Sequence, residues 1–339
     1  MAGPELSVIM LAYGEEEWLG EAVDAVLASS GVDLEVVLID NGCTTDAVER
    51  VTGRERVRVV RPGENLGFAG GVNRGVAESH APMIALVNSD AEVEPDCLRI
   101  LVDHARDEGV GIAGALIVLA DKPTTVNSAG NPVHVLGLSW AGRMGEPVDA
   151  IAPVSTVASA SGATMVLRRS VWDQLGGFPA TYFAYLEDLE LSWRCWQRGL
   201  RVEVVQAARA AHHYEFGRSP LKMYLLERNR LLFVSTTYGR RTLLLLAPAL
   251  VAFELAEVAI AALQGWGKQK VKGWGWVATH LGWVRARRRE VQDARTVPDR
   301  ELAHLVTDRF DPAHFPLPAV AAPLQLVLQA YWGLVRRVI

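Results

Sequence analysis

Three clusters of polar residues in this chain have the chemistry of a group-transfer site. The first is Tyr185-Leu-Glu187-Asp188-Leu-Glu190, which sets adjacent carboxylates at the start of a helical pattern. A carboxylate within reach of a hydroxyl nucleophile can take its proton during attack, so Asp188 is the candidate general base and Glu187 a candidate contact to the accepting substrate. The second is Asn88-Ser89-Asp90, at the end of an apolar run. The third is His212-His213, 24 positions beyond Asp188. Asp90 and one imidazole together suit a divalent cation: hard oxygen favours Mg2+ or Mn2+, and the added nitrogen tilts the choice towards Mn2+. Neighbours on an extended segment point to opposite sides, so one of the two histidines faces the metal. Taken alone, the acids of 187–190 also suit a helix dipole, and Asp90 also suits a strand-end turn.

The elements that must carry these groups are legible in outline. Leu6–Leu11, Leu34–Ile39, Val57–Val60, Met83–Val87 and Val110–Leu116 have strand character. They alternate with helical patterns over Glu16–Ala28, a short segment from Asp46, Gly70–Ser79 and Asp96–Arg106. Such alternation predicts an α/β fold with a mostly parallel sheet and helices on both faces, whose ligands bind beyond the carboxyl ends of the strands. Polar groups stand at those ends: Tyr13 after the first strand, Asp40-Asn41-Gly42 after the second as a turn, and Asn88 to Asp90 after the fourth. Residues 121–160 have weak periodicity and are expected to be loops and short strands. The helix 188–198 places Leu189, Trp193 and Trp196 on one face and stops at Gly199; a strand over Arg201–Val205 then leads to His212.

Composition limits the alternatives. The chain has 339 residues, half of them apolar, and a net charge of −5, which gives no reason to expect nucleic-acid binding. Three scattered cysteines fit a reducing cytosol, and Met1 to Ser7 lacks the features of a secretory signal. Beyond residue 220 the character changes. Leu221–Val234 is helical, and Leu243–Phe253 is almost wholly apolar but interrupted by Pro248. That run is too short to span a bilayer, which takes about 20 residues. Between Gln264 and Arg295, eight Lys/Arg stand against two acids among several tryptophans, which predicts contact with an anionic membrane surface; an ordinary helical subdomain packed on the catalytic core, or a homodimer interface, is the competing expectation. Residues 296–318 have the composition of a linker, and 319–339 form a last apolar helical pattern.

In order and spacing, these stretches resemble the rhamnosyltransferase-like branch of family 2 glycosyltransferases. The resemblance rests on Glu35-Val-Val-Leu-Ile-Asp40-Asn-Gly, Asn65-Leu-Gly-Phe-Ala-Gly-Gly-Val-Asn73, Leu86-Val-Asn-Ser-Asp90, Gly162-Ala-Thr-Met-Val-Leu-Arg-Arg-Ser170, Gly176-Gly-Phe178, Tyr185-Leu-Glu-Asp188 and Ala207-Ala-Arg-Ala-Ala-His-His213. It implies a GT-A fold over 1–220, with a nucleotide-sugar half (1–120) and an acceptor half (121–220), followed by a helical, membrane-associating region over 221–339. It implies an inverting transfer from a nucleotide-sugar donor, dTDP-rhamnose before UDP-galactose or UDP-galactofuranose, to a glycan or polyprenyl-linked acceptor in envelope or polysaccharide synthesis. Asp188 matches the base, Asp90 and His212 the metal ligands, and Asp40 the nucleoside-binding acid. Tyr13, Asn65, Asn73, Asn88 and Glu187 complete the expected substrate contacts. The expected setting is the cytoplasmic face of the cell membrane, with a homo-oligomer allowed. Three features depart from the pattern: an amide, Asn88, replaces the first acid of a D-x-D-like motif, Glu190 replaces a shorter acid, and the turn at Gly176-Gly-Phe178-Pro179 lacks the acid often seen after Gly-Gly-Phe. A sugar nucleotidyltransferase would need a basic loop after the first strand, where Glu15-Glu16-Glu17 stands instead. A catalytically dead glycan-binding subunit would be expected to lack Asp188 or Asp90.

Overall fold

The computed structural model describes residues 3–213, 217, 219–311 and 322–339. Its strands are β1 (Leu6–Gly14), β2 (Leu34–Cys43), β3 (Val57–Val60), β4 (Met83–Val87), β5 (Ala91–Val93), β6 (Val110–Leu119), β7 (Lys122–Ser128), β8 (Val133–His134), β9 (Val154–Thr156), β10 (Thr164–Arg168), β11 (Arg201–His212) and β12 (Val306–Thr307). Its helices are α1 (Leu19–Leu27), α2 (Ala47–Val51), α3 (Gly67–Ala77), α4 (Cys97–Ala105), α5 (Arg169–Leu175), α6 (Glu187–Gln197), α7 (Pro220–Thr237), α8 (Arg240–Leu263), α9 (Gly267–Thr279), α10 (Leu281–Asp293), α11 (Asp299–Leu302) and α12 (Ala322–Val335).

The chain divides into two compact units: Met1–Asn131, Ala141–Cys195 and Leu200–Glu215 form one, and Pro132–Trp140, Trp196–Gly199 and Phe216–Ile339 the other. The first is built on a mixed sheet in the order β3-β2-β1-β4-β10-β6-β11-β5. The alternation of strand and helix produces the parallel block β3-β2-β1-β4, and β10 then runs antiparallel between β4 and β6. The near-continuous apolar runs in β1, β2, β4 and β6 follow from burial on both faces; Val8, Met10, Leu38, Ala85, Leu101 and Ile117 are wholly buried in one core. Parallel pairing of β1 with β2 and β4 brings Tyr13, Asp40 and Asn88 to the same end of the sheet.

In the second unit, the apolar run expected to stop at eleven residues is part of a helix of 24, α8, which continues through Pro248. It is the one described helix long and apolar enough to cross a membrane. The sequence expectation failed because Glu254 and Glu257 look like the end of an apolar run, whereas Arg230 and Lys270 pair with both. The expected linker is partly structured as well. It carries α11, and β12 pairs with β8; residues 312–321 lie outside the described set.

Candidate active site

Asp90 and His212, 122 residues apart in sequence, meet because of strand register. Strand β5 begins one residue after Asp90 and runs antiparallel to β11, pairing Ala91 with His212. The His213 N–H donates to the Asp90 carbonyl at 3.0 Å, closing the pair. His212 Nε2 then stands 3.1 Å from Asp90 Oδ1, while its Nδ1 faces Asn127 Oδ1 at 3.3 Å. His213 turns the other way, with Nε2 2.7 Å from Glu92 and its ring stacked on Trp18 at 3.7 Å.

The donor set around Asp90 fits a divalent cation. A carboxylate and an imidazole nitrogen converge, and a donor bond from Nδ1 to Asn127 leaves Nε2 the lone pair a metal ligand needs. Asn88 Oδ1 is buried with no hydrogen-bond partner. Glu16, one of the three acids after the first strand, reaches the electrostatic field of this pair. Its Oε1 accepts the Tyr13 N–H at 2.6 Å. Burial pushes its carboxyl up first; the Tyr13 N–H and the Ser89 hydroxyl pull it down, and the charge of Asp90 raises it again. A positive φ of 52° at Glu16 marks a chain bent for position, a signal that sequence does not carry.

Asp188 sits in the first turn of α6. Its carboxylate accepts the Gly162 N–H at 3.1 Å and the Leu189 N–H at 2.7 Å. Burial raises its proton affinity above the ordinary carboxylate range, against the pull of those N–H groups. Glu187 beside it is only 6% exposed, with Oε2 buried and unpartnered. Burial first, and then the Asp188 charge, push its carboxyl up to about 8. A group poised near neutrality suits proton transfer. The segment leading into α6 is strained. Phe183, Tyr185 and Leu186 have φ of 64°, 70° and 64°. Phe183 centres a γ-turn in which the Ala184 N–H donates to the Tyr182 carbonyl at 2.7 Å. Positive φ at bulky residues costs about 1–3 kcal/mol each and persists where the surroundings enforce it.

The glycine-rich stretch supplies that enforcement. A Cβ on Gly67 (φ +69°) would lie 2.5 Å from the Phe183 carbonyl oxygen and its ring, and the Ala69 N–H donates to that carbonyl at 2.9 Å. Asn73 grips the backbone of Phe178 through both ends of its amide, at 2.8 and 3.0 Å. Asn65 Oδ1 accepts from Gly67 N–H and Asn41 Nδ2 at 2.8 and 3.0 Å. Both residues expected as substrate contacts thus tie loops together. Glu190 is wholly buried and pairs with Arg194 at 2.7 Å, and Arg194 in turn donates to the Leu175 and Gly177 carbonyls. This gives a structural role to the longer acid.

At the strand ends, the expected turn at Asp40 takes the form of an Asx turn inside β2, which continues to Cys43 with a register slip against β1. Asp40 Oδ1 accepts the Gly42 and Cys43 N–H groups at 3.3 and 3.1 Å, and Oδ2 lies 3.4 Å from Arg61. Tyr13 is 61% exposed, with its ring against Gly42. An exposed aromatic ring beside a carboxylate at the strand ends is a stacking platform for a planar ligand.

The profile of glycosyl transferase family 2 matches residues 7–176. An N-acetylglucosaminyl-diphospho-decaprenol L-rhamnosyltransferase of Mycobacterium tuberculosis is 28% identical over 244 residues, covering 63% of this chain and 78% of that protein. The succinoglycan biosynthesis protein ExoO of Rhizobium meliloti is 32% identical over 113 residues, covering 32% of each, so the chain spans about a third of that relative. In fold, the chain is similar to a mannosyltransferase of Pyrobaculum calidifontis solved with GDP-Man and Mn2+. The TM-score is 0.52 and the identity 15%, covering 100% of this chain and 87% of that one.

Proposed function

Because the chain belongs to glycosyl transferase family 2, we propose that it is an inverting enzyme carrying a sugar from a nucleotide-sugar donor to a glycan or polyprenyl-linked acceptor, with Asp188 as general base. The observation that carries this reading is the Asp188 carboxylate, half-buried and aimed by two backbone N–H groups at the start of α6. In the step, the acceptor oxygen bonds to the anomeric carbon as the bond from that carbon to the diphosphate oxygen breaks. The electron pair leaves with the diphosphate, and the acceptor proton passes to Asp188. Asp90 and His212 would hold Mn2+ or Mg2+, which when bound neutralises charge on the leaving diphosphate. Asp40 and Tyr13 would take the nucleoside and Asn88 the donor. Glu187, buried beside the base, would meet the acceptor hydroxyl, while Asn65 and Asn73 keep the Phe178 and Phe183 loops in place.

The relative whose name specifies rhamnosyl transfer to a decaprenol-linked sugar supports dTDP-rhamnose as donor and a polyprenyl-diphosphate sugar as acceptor; a UDP-galactose or UDP-galactofuranose donor is the alternative. Work on such an acceptor would place the protein peripherally on the inner face of the cell membrane. The test is nucleotide release from a panel of nucleotide sugars, with and without polyprenyl-diphosphate acceptor and Mn2+. Acceptor-stimulated, metal-dependent release of dTDP supports the reading. Release of UDP alone would replace the donor, and failure of either diphosphate to bind would overturn the reading.

A further inference from the structure

Helix α8 presents the opposite polarity to that of a helix on a water-soluble protein. Its buried or half-buried side carries Thr242, Leu246, Glu254, Glu257 and Ala261. Its exposed stripe recurs every three or four residues through Leu244, Pro248, Val251, Leu255, Ala259 and Leu263, with Leu255 67% and Leu263 88% exposed. The two acids lie in a network among α7, α8 and α9. Lys270 Nζ donates to Glu254 at 3.0 Å, to Glu257 at 2.7 Å and to Glu227 at 2.8 Å. Arg230 contacts the same three acids, and Trp274 Nε1 donates to Glu254 at 2.8 Å. Charges turned inwards and hydrocarbon outwards is the pattern a bilayer selects, and water selects the reverse.

Helix α12 repeats it. Gln325 turns in to the Asp308 carbonyl and Trp332 and Val335 are buried, whereas Leu324, Leu326, Val327 and Leu334, and Val338 just past the helix, are exposed. The Tyr331 hydroxyl donates to the Leu245 carbonyl, so α12 lies on α8.

We propose that α8 and α12 lie in the plane of an anionic bilayer, with their apolar stripes in the acyl region of one leaflet and basic residues near them at the headgroups. This deepens the peripheral localisation proposed above and rests on it, while being independent of donor and metal. At about 36 Å, α8 is long enough to cross a membrane. Both of its ends, however, are tied to charged neighbours. The Gly239 N–H and Thr242 hydroxyl donate to Asp299, and Glu257 near the other end is held by Lys270. A helix crossing with its ends at the two surfaces would leave Asp299 at the interface but draw Glu254 and Glu257, with Arg230 and Lys270, into hydrocarbon. The occupant is lipid rather than a second copy because the exposed Arg240 and Arg241 at the start of α8, and Arg336 and Arg337 after α12, flank the apolar stripes, and phosphatidylglycerol headgroups complement them.

The test is co-sedimentation of the full chain with vesicles of phosphatidylglycerol and phosphatidylcholine. The double variant Leu244→Glu/Leu255→Glu is expected to bind at least about tenfold more weakly, with far-UV circular dichroism and nucleotide affinity unchanged. Separately, Leu255→Cys carrying a nitrobenzoxadiazole label should shift its emission to the blue on vesicles. Wild-type binding by the double variant, no vesicle binding by the native chain, or a label that stays in water would overturn the proposal. So would a native dimer that the double variant splits, since a second copy would then cover this face. Loss of nucleotide binding in the native chain would instead overturn the transferase reading and leave the vesicle result standing.

Discussion

Replacing Asp188 with Asn separates its chemistry from its structural role. The carboxylate has two oxygens, each taking one N–H: Leu189 at 2.7 Å and Gly162 at 3.1 Å. An amide has one acceptor. It would keep the shorter bond to Leu189 and set its NH2 against the Gly162 N–H. Losing a bond to a charged acceptor costs about 1.5–3 kcal/mol. Against this stands the relief of burying an uncharged group where burial already raises the carboxyl's proton affinity. The two effects oppose each other, so the fold should survive. The base is lost outright, and such a group contributes about 10²–10⁴ in rate, or about 3–5 kcal/mol of barrier. The assay is nucleotide release at saturating donor and acceptor, alongside titration calorimetry with the nucleotide diphosphate. Turnover should fall by two orders of magnitude or more, about 10²-fold at the least, while nucleotide affinity holds. Turnover within about twofold of native, well inside the range a base contributes, would refute the assignment.

Other expectations follow from the same geometry. Glu187 has a folded-state proton affinity raised from the ordinary value of 4.5 to about 8, so its contribution to stability is present below pH 4.5 and is lost as pH rises towards 8; Glu187→Gln should flatten the fall in Tm across that window. His212→Ala should weaken Mn2+ binding at least about tenfold, since even outer partners of a metal site contribute that much, whereas His213→Ala, aimed at Glu92 and Trp18, should leave the Mn2+ titration unchanged. Gly67→Ala puts a Cβ into Phe183 at a left-handed φ, which should cost about 1–3 kcal/mol in chemical denaturation and lower kcat by shifting the segment before Asp188. Lys270→Met leaves the buried Glu227 and the half-buried Glu254 and Glu257 with Arg230 as their one remaining cation among the described residues, and should destabilise by about 3–5 kcal/mol in the same measurement.

Much of the first unit was legible because its cues are local. Val57–Val60 and Met83–Val87 end where their apolar runs end, and α6 stops ahead of Gly199, whose φ of +78° few other residues accept. The chemistry-bearing residues Asp188, Asp90 and the two histidines stand out through residue type and order alone. What the sequence could not contain is register and enclosure. Nothing local says that β5 pairs with β11, yet that pairing brings His212 to Asp90 and sends His213 to Glu92. Nothing local distinguishes Asn73, clamped on Phe178, from a substrate-binding amide, or draws Glu16 out of an acidic run to lie beside Asp90. Glu254 and Glu257 look like the end of an apolar segment until Arg230 and Lys270, supplied by other helices, neutralise them and let α8 run on. Periodicity and residue type are properties of a stretch of chain, and they determined the elements and the candidate groups. Which groups meet, and which charges are cancelled, depends on contacts between residues far apart in sequence, and only the tertiary structure decided those.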